Sequence, residues 1–489
     1  MIKIINLYIN GHDYEHDLFE LTRAFFTQSE IIVLEKEDLD KEYKFLILNE
    51  FYMGDSTTKI FINNNLVAKE VVSSEIIKIP SYDKVRIEKM AIKNSLYTCL
   101  SKYLNKQLPW GILTGIRPVK IIHELLDKEI YNKDIINMLQ DYYKFDYSKS
   151  EMILDIALSQ RTHIYPKDNR KFSLYINIPF CPSKCSYCSF PSYHIGKVED
   201  QVPDYIDTLI YELKSSKEIF RNRKINTVYI GGGTPTSLKV EQLEKLLKEI
   251  RKILPGKIKE FTVEAGRPDT IDEVKLELLK KHGVNRISIN PQTFNKKTLV
   301  AIKRDHSLEE IKHVYNLAKS IGFDIINMDI ILGLPGEGLQ ELENTLSKIK
   351  KLNPENLTVH ILALKRGSKL YNNVEDYNFT SNIEKMLNRS HAFALEEGYL
   401  PYYMYRQKQI LGNLENIGYA KKSMECIYNI SMMEEKETIF GFGLGAVSKI
   451  YSIEKDKVKR IPNFKSLNDY MGRIDELIDR KILDIDKSI

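Results

Sequence analysis

The sequence predicts an α/β protein built around a partial six-unit β/α barrel. Short apolar runs alternate with amphipathic helical stretches from about residue 172, which is the pattern of βαβ units in a parallel sheet. The runs are SLYINI (173–178), TVYI (227–230), FTVE (261–264), RISIN (286–290), IINMDIIL (325–332) and LTVHILAL (357–364). Helical segments such as DYIDTLIYELKSSKEIF and LEKLLKEIRKIL lie between them. Six such units fit a partial barrel better than a closed eight-stranded one, and the working groups of such a barrel sit at the C-terminal ends of its strands.

The flanking segments differ in character. Residues 1–90 alternate β-rich runs (IKIINLYI, YKFLILNEFYM, TKIFINNNLVAKEVV) with one helical stretch, HDLFELTRAFF, and read as a small N-terminal α+β extension. Residues 91–165 read as a helical connector interrupted by the loop LPWGILTGIRP, which holds Trp110, the sole tryptophan, and Arg117. The barrel is expected over 166–375 and a C-terminal domain capping the substrate over 376–489, where the periodicity becomes irregular.

Composition narrows the function classes. Of 489 residues, 43% are hydrophobic and 28% charged, which is ordinary globular usage and excludes wholesale disorder. The net charge of +5 is mild for this length, so no nucleic-acid partner is expected, although a local basic pocket for an acidic small molecule remains open. No run approaches the ~18 apolar residues of a membrane span. The N-terminus lacks the apolar core of a signal peptide. A cytoplasmic protein without a membrane span is expected.

Five cysteines are present, and three of them, Cys181, Cys185 and Cys188, lie within eight residues, directly after the first barrel strand. Thiolates are the soft ligands that iron–sulfur clusters prefer, and three of them leave one iron of a four-iron cluster open. A structural zinc site is the alternative, with His194 as its fourth ligand. Cys426 stands alone and reads as structural.

The C-x3-C-x2-C spacing on that loop resembles the radical S-adenosylmethionine (SAM) superfamily. Tyr187 stands where the superfamily usually has an aromatic residue, and Gly231, Gly232, Gly233 and Thr234 resemble its glycine motif. Further matches resemble the oxygen-independent coproporphyrinogen III oxidase family: Tyr175 six residues before Cys181, Glu264 in VEAGRPD, Gln292 in RISINPQTF, Arg304 twelve residues later, and Asp329 in NMDIILGLPGE. The stretches YYMYRQK (402–408), GNLENIGYA, CIYNI, MMEE and FGFGLGAVSK, with WGILTGIRPVK near the N-terminus, resemble its HemZ branch.

The resemblance implies a [4Fe–4S] cluster on Cys181, Cys185 and Cys188. It implies SAM held by Tyr175, Gly231, Gly232, Gly233, Thr234, Glu264, Gln292, Arg304 and Asp329, with Tyr175 also catalytic. Oxidative decarboxylation of two propionates of coproporphyrinogen III to vinyls would follow, fed by an electron donor such as flavodoxin or ferredoxin, in a monomeric protein. Tyr402, Tyr403, Tyr405, Arg406 and Lys408 suit a flat pyrrole macrocycle bearing carboxylates; packing between domains is the other reading of the tyrosines. The chain departs from the best-known oxidases at Phe190, where they carry a fourth cysteine, and at Asn177, where they commonly have histidine. A haem chaperone on the same barrel, like HemW, is therefore the second class, with His194, His306 and His360 as candidate axial ligands.

Overall fold

The computed structural model describes residues 2–486 except 28, 81, 116, 305, 373–381 and 408–409. The expected boundary at 375/376 and the candidate Lys408 lie outside the described residues. The chain divides into two compact units, 1–158 and 159–489.

The first unit opens with β1 (Ile4–Asn10), α1 (Glu15–Phe25), β2 (Glu30–Leu34), β3 (Phe45–Tyr52), β4 (Asp55–Ile62) and β5 (Asn65–Ser73). The sheet order is β2-β1-β3-β4-β5, parallel at one end and antiparallel at the other. Asn63 and Asn64, with φ of 46° and 62°, turn β4 into β5 in two residues, the hairpin geometry that asparagine tolerates. Helix α2 (Lys84–Leu104) lies on this sheet, and its Ser95 hydroxyl joins Asn49, Ser56 and Thr58 in a buried polar knot at 2.8–3.1 Å. Helices α3 (Val119–Leu126), α4 (Asn132–Asp141) and α5 (Tyr147–Ile164) follow. Trp110 is buried edge-on against Phe145, so its loop is anchored by an aromatic pair.

The second unit carries β6 (Lys171–Ile178), the two-residue strands β7 (Phe180–Cys181) and β8 (Tyr193–His194), α6 (Val202–Ser215), β9 (Lys224–Gly232), α7 (Val240–Ile253), β10 (Glu260–Glu264), α8 (Glu273–Lys281) and β11 (Arg286–Ser288). Then come α9 (Lys296–Ala301), α10 (Leu308–Ile321), β12 (Ile325–Leu332), α11 (Leu339–Leu352), β13 (Asn356–Ile361), α12 (Lys369–Asn372), α13 (Ile383–Glu396), β14 (Leu400–Tyr405) and β15 (Asn416–Ala420). The unit ends with α14 (Ile427–Glu434), β16 (Thr438–Phe442), β17 (Val447–Ser452), β18 (Lys457–Pro462), α15 (Leu467–Gly472) and α16 (Ile474–Asp486).

One open eleven-stranded sheet results, ordered β14-β15-β13-β12-β11-β10-β9-β6-β16-β17-β18. All six expected barrel strands stand side by side and parallel within it. The C-terminal residues add strands to both edges: β16 joins β6 in parallel, with β17 and β18 beyond it, while β15 runs antiparallel beside β13 and β14 antiparallel beside β15. The helices bury one apolar face against the sheet at three- and four-residue spacing, as Leu243, Leu246, Leu247 and Ile250 do on α7. Helix α10 starts at a Ser307–Glu310 capping box and stops at Gly322, whose φ of 92° suits glycine.

A buried ion pair ties the last helix to the first barrel helix. Glu212 on α6 accepts from Lys481 Nζ (2.5 Å), the Tyr470 hydroxyl (2.6 Å), Asn463 Nδ2 (2.9 Å) and the Gly443 N–H (2.9 Å). Both charged side chains are fully buried. Lys481→Met removes one partner and leaves a carboxylate buried without its cation, so it is expected to destabilise the protein by about 3–5 kcal/mol. Urea unfolding of the two proteins measures this, and a difference below about 1 kcal/mol would show the pair to be inconsequential.

Candidate functional site

The chemistry-bearing residues meet on one face of the second sheet. Alternate side chains of each parallel strand point the same way, and here that set is polar. Glu264, Ser288, Asn327 and Asn356 form a row in register across β10–β13, and Asp329 and Thr358 pair in the layer beyond. These residues line a cavity of about 380 Å³ that opens at the strand C-termini.

The cysteine loop stands at that opening. Cys181, Cys185 and Cys188 all line the cavity and all are free. Burial pushes the Cys181 and Cys188 thiols above their ordinary value. Arg267, itself buried, grips Asp269 in a two-pronged pair (2.7 and 3.0 Å), donates to the Ser183 hydroxyl (2.7 Å), and brings Nη1 within 4.0 Å of Cys185 Sγ. Among the described residues no three His, Cys, Asp or Glu side chains form a single-ion site. His194, the fourth ligand of the zinc alternative, is solvent-exposed and is not on the cavity wall.

The glycine motif works by absence of side chains. A Cβ on Gly232, whose φ is 118°, would lie 2.1 Å from Asn177 Oδ1, one on Gly233 2.9 Å from Cys181 Sγ, and one on Gly231 2.8 Å from Glu264 Oε2. Gly232, Gly233 and Thr234 line the cavity, whereas Gly231 lies behind it. Thr234 Oγ1 lies 3.5 Å from Cys181 Sγ.

Glu264 accepts from the Tyr229 hydroxyl (2.6 Å) and the Gly232 N–H (3.2 Å). Burial raises its carboxyl to about 7, opposed by the Tyr229 bond and reinforced by Asp329. Asp329 is held below the ordinary carboxyl value: burial opposes this, but His360 and bonds from Asn327 and Thr358 outweigh it. Asn327 Nδ2 donates to Asp329 at 2.7 Å, and His360 Nε2 lies 3.6 Å away. Arg304 donates to the Gly266 and Asn290 carbonyls at 3.0 and 2.7 Å. Gln292 adopts a φ of 65°, and its Oε1, like Asn290 Oδ1, is buried with no protein partner among the described residues. Buried polar atoms are normally paired. Unpaired ones on a cavity wall fit a polar ligand rich in hydroxyl and amino donors.

The substrate candidates separate. Tyr402, Tyr403 and Tyr405 line the cavity, the first two together because β14 bulges between Pro401 and Tyr403. Tyr403 and Tyr405 are nearly parallel, with centroids 6.4 Å apart. The expectation for Arg406 is corrected: it lies beyond the end of β14, is buried away from the cavity, and donates to Asn413 Oδ1 (2.7 Å) and O (3.1 Å). Tyr175 is also off the wall. Its hydroxyl donates to Asn177 Oδ1 (3.1 Å), and its ring stacks on Tyr428, which stacks in turn on the wall residue Tyr229. Among the candidate haem ligands only His360 lines the cavity, and its Nδ1 lies 3.3 Å from the Tyr405 hydroxyl.

Sequence reasoning missed Tyr229, Arg267, Asn327, Asn356 and Thr358. A signal existed. Parallel strands covered on both faces should read as continuous apolar runs, and a polar residue at every second position of INMD and NLTVH breaks that rule.

The profile of the Radical SAM superfamily matches residues 175–349. The oxygen-independent coproporphyrinogen-III oxidase-like protein HemZ of Bacillus subtilis is 42% identical over 411 residues, which is 81% of this chain and 82% of that one. The heme chaperone HemW of the same organism is 34% identical over 279 residues, 56% of this chain and 70% of its own. Among solved structures, the coproporphyrinogen III oxidase HemN of Escherichia coli, a radical SAM enzyme, aligns with a TM-score of 0.52 at 25% identity, covering 65% of this chain and 72% of its own. Radical SAM proteins use a [4Fe–4S] cluster and SAM, and the three cavity thiols and the polar strand ends are donor groups that suit both. With 42% identity extending over four-fifths of both chains, the protein belongs to the radical SAM superfamily and, within it, to the HemZ family of oxygen-independent coproporphyrinogen III oxidase-like proteins.

Proposed function

We propose that this protein is an oxygen-independent coproporphyrinogen III dehydrogenase, turning two propionate side chains into vinyls to give protoporphyrinogen IX. The observation that carries the reading is a cysteine loop and a tyrosine wall facing one cavity in a chain 42% identical to a HemZ relative. When bound, the cluster and SAM would supply the radical chemistry that removes a hydrogen atom from the propionate β-carbon, and the electron released with CO2 would pass to a one-electron acceptor from outside the chain.

The chain's own residues bind, orient and exclude water. Cys181, Cys185 and Cys188 would hold the cluster. Gly232 and Gly233 leave room for a ligand to approach the backbone, and Thr234 borders that gap. Glu264, Gln292 and Asp329 offer acceptors suited to ammonium and hydroxyl groups, and Arg304 offers a cation suited to a carboxylate. Tyr402, Tyr403 and Tyr405 form an apolar wall for a flat ring. Tyr175 acts from behind Tyr229, as a positioning residue. An electron donor such as flavodoxin or ferredoxin, a monomeric state and a cytoplasmic setting accompany the reading.

A haem chaperone is the second reading, supported by the HemW relatives and by His360 on the cavity wall. The contacts of His360 with Asp329 and Tyr405 engage both ring nitrogens, which disfavours it as an axial ligand.

Anaerobic reconstitution with iron and sulfide, followed by reductant, SAM and coproporphyrinogen III, tests the two readings. Loss of two CO2 per macrocycle alongside 5′-deoxyadenosine is the expected result. Stoichiometric haem uptake without turnover would favour the chaperone. Alanine at Cys181, Cys185 or Cys188 is expected to abolish both the cluster absorbance and SAM cleavage, and retained iron would remove that cysteine from the ligand set.

Glu264 gives a pH signature. Its folded carboxyl titrates near 7 against an ordinary 4.5, so the folded protein binds the extra proton between those values. Its contribution to stability is full below about 4.5 and is lost as pH rises through 7. Glu264→Gln should remove up to about 3 kcal/mol of that decline. Urea unfolding of the cluster-free protein at pH 5 and pH 8 reads it, and parallel pH profiles for the two proteins would refute the assignment.

A further inference from the structure

We propose that Lys365 docks a carboxylate of the substrate at the mouth of the cavity, with Phe190 completing the docking edge. This rests on the proposed function and names where the acidic side chains of its substrate are held.

Lys365 lies just beyond β13 and lines the cavity. The other lysine and the arginines of the wall are already engaged. Arg267 is paired with Asp269. Arg286 donates to the carbonyls of Met424 and Glu425, at 3.0 and 2.7 Å. Arg304 serves two backbone carbonyls, and Lys184 donates to the Gly367 carbonyl at 3.3 Å. Lys365 is half-buried; its carbonyl accepts from Ser368, while its ammonium makes no hydrogen bond or ion pair among the described residues and feels only the nearby Cys188 sulfur. An ammonium partly removed from water is costly; the Cys188 sulfur offsets part of that cost, and a carboxylate arriving from outside would supply the hydrogen-bonded partner that the ammonium lacks.

The neighbours of Lys365 suit a ring that carries the carboxylate. Phe190, also on the cavity wall, leaves 66% of its surface exposed. The 365–368 turn packs against the cysteine loop, since a Cβ on Gly367 would stand 3.3 Å from the Ser189 carbonyl oxygen. The two segments thus form one edge, presenting an exposed aromatic ring and the Lys365 ammonium. A flat ring stacks on the first, and one of its acid groups meets the second, a point charge. Arg406, the cation the sequence offered for this task, is turned to Asn413 instead.

The test is equilibrium binding of coproporphyrin III to the full-length, cluster-loaded protein, read by fluorescence quenching. Lys365→Gln should weaken binding about tenfold or more, and Lys365→Arg should retain most of it. The tetramethyl ester, which lacks the charges, should bind wild type and Lys365→Gln alike. SAM affinity and the midpoint potential of the cluster should not move. Equal coproporphyrin affinity in wild type and Lys365→Gln overturns the assignment. So does a change confined to the cluster potential or to SAM affinity, which would make Lys365 a counter-charge for the cluster. A wild type that binds no coproporphyrin sinks the proposed function, and this assignment with it; the wild-type measurement alone therefore tells the two failures apart.

Discussion

At the C-terminal end of β9 three glycines let the backbone touch three other parts of the site at once. Gly231 meets the Glu264 carboxylate, Gly232 meets the Asn177 side chain, and Gly233 meets Phe180 O and Cys181 Sγ. Those contacts fix the spacing between the first two barrel strands, the start of the cysteine loop and the carboxylate of the third strand. A side chain at Gly232 would drive the groups apart by about an ångström, and one at Gly231 or Gly233 by several tenths, in an interior packed too densely to absorb it. Asn177 extends the constraint outward: its Nδ2 donates to Leu444 O, and its own carbonyl accepts from the Tyr205 hydroxyl. Through Tyr205, Gly443 and Glu212 the same few ångströms are linked to α16 at the chain's end.

The cavity wall is an unusual use of a parallel sheet. Its inward layer is built of carboxylates, amides and hydroxyls where aliphatic side chains would give a tighter core. Several of these polar groups satisfy one another, as Asn327 does with Asp329 and Thr358. Others, such as Gln292 Oε1, do not. The barrel thereby gives up core stability for a surface that recognises a polar ligand, and the helices outside the sheet supply the apolar burial that the inward face does not.

The parts of this arrangement legible in the sequence were those set by local pattern. The six parallel strands follow from runs of β-branched residues separated by amphipathic helices, and the position of the cysteine loop follows from its adjacency to SLYINI. The glycine motif was legible because only glycine permits such close approach. The C-terminal region was harder. Its strands pair with partners as far away as Thr438 is from Phe172, and no local pattern shows that β16 would lie beside β6. Arg406 illustrates the same limit at one residue: its neighbours point into the cavity, but the strand ends at Tyr405 and the chain turns, so the guanidinium follows the loop. Tyr175 occupies its expected strand, yet a second tyrosine in register, Tyr229, takes the place at the wall.

The pairing of β6 with β16 also bears on how the chain is made. One edge of the first barrel strand waits for residues 438–442 before it gains its neighbour. At ribosomal speeds of about 5–20 residues per second, that is a wait of roughly 13–50 s. During that time β6 presents unpaired backbone groups, the kind of open edge that invites wrong partners. The cysteine loop leaves the ribosome attached to this unfinished strand. The glycine-rich FGFGLGA segment closes that edge long after the cysteine loop has emerged, so this part of the cofactor site is translated well before it is finished.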